Sequence, residues 1–193
     1  MLSKEQGKML LDIARKNIIS HLESDKGLII DNDNTIDLKN NSWLNENGAV
    51  FVTLNLSKNL KGCIGSLVAY RSLIDDVLEH SFNASFRDTR FSSVTKDDMK
   101  NIVVEISVLS EKKELLYSDY NDLKTKVKPL IDGVYLTYGP YSSTFLPQVW
   151  EQLPDIDKFM NHLCNKAGLS LDIFRDKEKL PTIEIYNVQK FEE

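Results

Sequence analysis

The string Leu60-Lys61-Gly62-Cys63-Ile64-Gly65 gathers residue types that a reactive thiol uses. In a strand, alternation would set Lys61, Cys63 and Gly65 on one face, and two glycines would clear side-chain bulk beside the sulfur so that another group can come close. A nucleophilic cysteine needs a nearby cation, base or helix N-terminus to hold the thiolate. Only Lys61 is supplied locally, so the competing reading is a small buried thiol in a tightly packed sheet. The glycine spacing fits neither a P-loop nor G-x-G-x-x-G. Gly62-Cys63-Ile64-Gly65 does spell the GXXG of a nucleic-acid-clamping KH loop, but a strand-like setting in an acidic chain speaks against it.

Further along, Arg87-Asp88-Thr89-Arg90-Phe91 places two guanidiniums within one turn. Their planar forks suit carboxylate or phosphate, which makes Arg87 and Arg90 a candidate anion clamp. The plainer alternatives are cations at a helix C-terminus, or an arginine paired with Asp88. Glu105, among apolar neighbours, is a candidate general base or arginine partner, set against a carboxylate on the wet face of a sheet. Gln148 and Glu151 follow Pro147 closely enough to enter a shared cleft, although Glu151 also suits a solvated entry to the next helix. Cys164 falls on an apolar helix stripe and reads as core, with His162 on that helix's polar face and His21 and His80 at the edges of other helices. No Ser/His/Asp order, C-x-x-C or helix-borne H-x-x-x-H appears, so neither a metal nor a cofactor is expected.

The elements that must position these residues follow from periodicity. Ser3 with Gln6 has capping-box spacing, and Leu10, Ala14, Ile18 and Leu22 form a stripe, which predicts a helix over about 3–23. Residues 23–48 turn polar around Leu28-Ile29-Ile30, giving loop with a short strand. Residues 49–54 and 60–68 read as a hairpin, and Ser72 caps a helix over about 72–86. Thr95 with Asp98 offers another cap, ahead of a strand over 102–110 that puts Ile102, Val104, Ile106 and Val108 on one face and Glu105 on the other. A helix over 118–127 stops near Pro129, and a second hairpin spans 133–138 and 142–149 around Gly139-Pro140. The stripe Ile156, Phe159, Met160, Leu163, Ala167 closes at Gly168, and Pro181–Phe191 forms the last strand. Hairpins between unevenly spaced helices favour an α+β fold over a regular βαβ series, with no internal repeat or clean linker.

At 193 residues, 41% hydrophobic and 27% charged, the chain is long enough for a sizeable core and unlike collagenous or disordered sequences. Its 24 Lys and Arg against 29 Asp and Glu leave a net charge of −5, which argues against an unassisted grip on a nucleic-acid backbone. Two cysteines cannot make a disulfide framework, and the first residues carry no apolar signal core, so a cytoplasmic, reducing setting is expected.

Six strings taken in order carry a resemblance. Gly48 to Leu54, Leu60 to Gly65, Phe82 to Phe91, Val104 to Leu109, Phe145 to Glu151 and Leu163 to Leu169 resemble the AMMECR family, the A component of the AmmeMemoRadiSam set. That resemblance implies a single α+β domain of two closely joined lobes built from antiparallel hairpins and flanking helices, spanning residues 1–193. It also implies a Memo-type protein and a radical SAM enzyme as partners, while the family's biochemical activity is not established. Among the matched positions, Cys63, Glu105 and Glu151 are the catalytic candidates of a cysteine-dependent transferase, hydrolase or redox reaction. Lys61, Arg87, Arg90 and Gln148 are the binding candidates for an anionic small molecule or modified peptide group. The alternatives are a non-catalytic interaction module and, more remotely, a nucleic-acid-associated protein. Two departures stand out: the family commonly has Arg where this chain has Lys61, which loses the bidentate fork, and Pro where it has Thr89.

Overall fold

The computed structural model describes residues 1–24, 27–28, 38 and 40–193, so the short strand expected at Leu28-Ile29-Ile30 lies largely outside the described residues. The chain divides into a first unit, Met1–Leu109 with Gln189–Glu193, and a second, Ser110–Val188. Both combine helices with an antiparallel sheet, which makes the protein α+β.

In the first unit, α1 (Lys4–Ser24) begins in the expected reciprocal cap: Ser3 Oγ accepts from Gln6 N at 3.2 Å and Gln6 Oε1 accepts from Ser3 N at 2.7 Å. Strands β1 (Asn47–Leu56) and β2 (Asn59–Gly65) form a hairpin whose two loop residues, Ser57 and Lys58, both take positive φ, as a two-residue connection matched to strand twist requires. Two-residue β3 (Arg71–Ser72) pairs the start of β1, and Ser72 caps α2 (Leu73–Phe86) by accepting from Asp75 N. Thr95 and Asp98 cap each other reciprocally, at 2.9 and 3.2 Å, at the entrance to a 3-10 turn that leads into β4 (Ile102–Leu109). With β9 (Val188–Glu192) the sheet order is β2-β1-β4-β9, and β3 pairs β1 off that path. Alternate residues Val50, Val52, Leu54, Val104 and Ile106 are buried with Leu10, Ile13 and Ile18 of α1 and Val77 and Ala84 of α2. The other set on those strands, including Thr53 and Glu105, lies on the face turned away from the helices.

The second unit has β5 (Lys113–Glu114), α3 (Tyr120–Lys126), β6 (Gly133–Tyr138), β7 (Tyr141–Phe145), α4 (Ile156–Lys166) and β8 (Thr182–Tyr186), with sheet order β5-β8-β6-β7. Its core centres on Trp150 stacked on Phe159, ring centroids 3.6 Å apart, with Trp150 Nε1 donating to Asp132 O at 2.8 Å. Gly168 takes the left-handed conformation just past α4.

Two expectations are corrected. The return strand of the second hairpin, expected over 142–149, stops at Phe145, and Pro147 opens a 3-10 turn over Pro147–Glu151. Residues 181–191 are two strands in different sheets, β8 in the second unit and β9 in the first unit's sheet. The break is Asn187, which is fixed from several directions. Its side-chain amide donates to Ile131 O and Asp132 Oδ1, both at 3.1 Å, and its backbone exchanges bonds with Ser110. The alternation of Ile183 and Ile185 lapses at Asn187, and Val188 falls in the other phase, but such a slip looks the same for a bulge within one strand as for a change of sheet.

Candidate functional site

Cys63 sits on β2, an edge strand of the five-stranded sheet, and is half-buried. A regular two-residue hairpin would pair Thr53 with Gly62, but the register shifts between Leu54 and Asn55, leaving Lys61 as the extra residue. The shift brings Thr53 opposite Cys63, and Thr53 Oγ1 donates to Cys63 Sγ at 3.3 Å. On its other side Thr53 pairs with Glu105 of β4, so Cys63, Thr53 and Glu105 form a row across three adjacent strands. Strand spacing puts the ends of that row about 10 Å apart. The row ends in an ion pair: Glu105, 8% exposed, meets Lys190 of β9 at 2.7 Å.

The two glycines have packing roles. A Cβ on Gly62 would stand 2.0 Å from the Ala84 carbonyl oxygen, so the group that approaches closely there is the backbone of α2. A Cβ on Gly65 would meet the Phe51 ring at 2.3 Å, from within the same sheet.

The two arginines are engaged differently. Arg90 closes its fork on Asp88, with Nε to Oδ1 at 2.9 Å and Nη2 to Oδ2 at 2.7 Å, and Nη2 also donates to Cys63 O at 3.0 Å. Asp88 in turn accepts from Cys63 N at 2.9 Å. Arg87 is exposed and lies over the Phe82 ring at 5.2 Å, and no carboxylate among the described residues pairs with it. Lys61 donates to Ser92 Oγ at 2.9 Å and stands 3.6 Å from Asp98.

Arg90 holds the Asp88 carboxyl well below the usual carboxylate range, against the opposing effect of burial and with help from the Cys63 and Arg90 amides. The folded value thus lies below an unfolded value of about 3.9, so this contribution to stability is complete above about pH 4 and is lost as pH falls through the folded value. In thermal melts the wild type should lose Tm more steeply below about pH 4 than Asp88→Asn, and parallel curves would contradict that assignment.

In the second unit, Gln148 and Glu151 are exposed on the 3-10 turn Pro147–Glu151. Cys164 is fully buried, and burial pushes its thiol up to about 11. His162 is exposed, whereas His80 is 5% exposed and belongs to a polar cluster that spacing did not reveal. At its centre the fully buried Asp76 accepts from Val50 N at 2.8 Å and Ser66 Oγ at 2.7 Å. Its other oxygen stands 3.0 Å from Arg71 Nε and 3.2 Å from His80 Nε2. Aspartate in a helix's first turn and histidine one turn on was the available signal, but it resembles any solvated i, i+4 pair. Among the described residues no group of three or more His, Cys, Asp and Glu is arranged to hold a metal ion, and no helix is long and apolar enough to cross a membrane.

The AMMECR1 family matches residues 11–191. The chain belongs to the AMMECR1 family. It is similar to a protein of Methanothermobacter thermautotrophicus, 33% identical over 178 residues that cover 92% of this chain and 90% of that one. A Methanococcus aeolicus protein is 35% identical over 191 residues, 97% of this chain and 90% of the relative. The crystal structure of the uncharacterized protein PH0010 from Pyrococcus horikoshii superposes with a TM-score of 0.80 at 30% identity, over 100% of this chain and 93% of the other. The AMMECR1 resemblance carried by the six strings is therefore shown over nearly the whole chain, and it brings with it a family of uncharacterized function.

Proposed function

We propose that this AMMECR1-family chain is a cytoplasmic binding protein for an anionic small molecule, or for an anionic group on a modified peptide, with its contact point at Cys63. The row of the half-buried Cys63 thiol, Thr53 and Glu105 across β2, β1 and β4 carries the reading. Lys61, the extra residue of the register shift, and Arg87, which pairs with no carboxylate among the described residues, are the cations that would receive the anion. A Memo-type protein and a radical SAM enzyme are the partners with which it would act. A non-catalytic interaction module is the second reading, favoured by Val68 and Tyr70, 52% and 63% exposed just after the Cys63 strand.

Paired thiol reagents test this. Under native conditions both neutral iodoacetamide and anionic iodoacetate should label Cys63 and leave the buried Cys164 unmodified. A local excess of positive charge should raise the iodoacetate-to-iodoacetamide rate ratio at Cys63 about threefold above that of the urea-unfolded chain. Lys61→Ala and Arg87→Ala should each lower it. A native ratio equal to the unfolded one would rule out the anion reading and leave the interaction module.

A further inference from the structure

An edge strand presents backbone N–H and C=O groups that have no neighbouring strand to receive them. At Cys63 on the β2 edge, side chains take both groups: the N–H donates to Asp88 Oδ2 at 2.9 Å and the carbonyl accepts from Arg90 Nη2 at 3.0 Å. Those side chains are themselves locked by a bidentate ion pair, and the Arg90 backbone N–H donates to Asp88 Oδ1 at 3.2 Å. Asp88 is 7% exposed although it is flanked by exposed residues, so the loop after α2 folds its carboxylate in against the strand.

Such a pair has the hydrogen-bonding pattern of one residue of a neighbouring strand, an acceptor and a donor side by side. We propose that Asp88 and Arg90 are positioning residues for Cys63: the pair is a surrogate strand that fixes the backbone carrying the thiol and neutralises a carboxylate beside it. The inference rests on the reading of Cys63 as the contact point for an anion, and it deepens that reading in two ways. With its fork closed on Asp88, Arg90 shields the ligand from the Asp88 charge, and the direct anion contacts fall to Lys61 and Arg87. The edge at Cys63 is also closed to an extended peptide, which would need the same N–H and C=O, so the ligand approaches over the sheet face and is a compact anion.

The test uses the full chain at about pH 8, where carboxylates are ionised, with iodoacetamide and iodoacetate as probes and rates read at Cys63 by mass spectrometry. Arg90→Gln exposes the Asp88 charge, so the iodoacetate-to-iodoacetamide ratio should fall about fivefold below wild type. The double variant Asp88→Asn, Arg90→Gln restores neutrality, and its ratio should return to within about twofold of wild type. Arg90→Lys keeps the charge and loses the fork; it should preserve the ratio while both rates change together, which guards against an Arg90→Gln protein that does not fold. An Arg90→Gln or double-variant ratio that departs from this pattern overturns the positioning role, as do Arg90→Lys rates that both match wild type. Failure of the anion reading is distinct, because it appears in the wild-type ratio before any variant is made.

Discussion

Replacing Asp76 with alanine should destabilise the first unit by about 3–5 kcal/mol, the cost of removing one partner from a buried charged cluster. Asp76 is fully buried near the end of β2, where the Val50 N–H takes it as acceptor beyond the last paired residue, Gly65. Without the carboxylate, Val50 N–H and Ser66 Oγ lose their acceptor, and Arg71 and His80 face each other with no charge between them. Burial pushes the Asp76 carboxyl up, but His80, Ser66 and Val50 together outweigh it and hold the group below its ordinary value. It therefore stays ionised at neutral pH, and the loss should be fully expressed there. Urea denaturation at pH 7 measures it. Asp76→Asn, which keeps one acceptor oxygen, should lose about half as much. A change under about 1 kcal/mol for the alanine variant would mean that the cluster is solvated and not part of the core.

Gly62→Ala should cost about 3 kcal/mol, and the reason is sheet-to-helix distance, not backbone conformation. The added Cβ would stand 2.0 Å from the Ala84 carbonyl oxygen, and a backbone atom cannot swing aside as the tip of a side chain can. Either β2 lifts from α2 or the variant carries the overlap as strain, and both alternatives disturb the strand that holds Cys63. Gly139→Ala is the natural comparison. There φ is +57° with nothing within 4 Å, so only the left-handed conformation is penalised, at about 1 kcal/mol. Denaturation midpoints that rank the two variants in the opposite order would count against close packing as the role of Gly62.

Most of the fold was legible in the sequence because its signals are local. Caps at Ser3, Ser72 and Thr95, the apolar stripes of α1, α2 and α4, and the left-handed Gly168 each depend on residues a few positions apart. The family strings were legible for the same reason, and they contain Cys63, Arg87, Arg90 and Glu105. What escaped depends on pairing between distant segments. A one-residue shift in β1 and β2 decides that Thr53, and not its neighbour, meets the thiol, and nothing in strand alternation marks where a bulge falls. The change of sheet at Asn187 rests on partners at Ser110, Ile131 and Asp132, invisible to a window read along the chain.

The sequence by itself determined the residue types available near Cys63: a thiol, small neighbours and several charges. Tertiary structure decided which of them act on one another. It gave Gly62 to the backbone of α2, Glu105 to Lys190 and Arg90 to Asp88, and left Arg87 without a carboxylate partner among the described residues. Composition counts charges without regard to distance, whereas the interaction of two charges depends on their separation and surroundings, which only the folded chain sets.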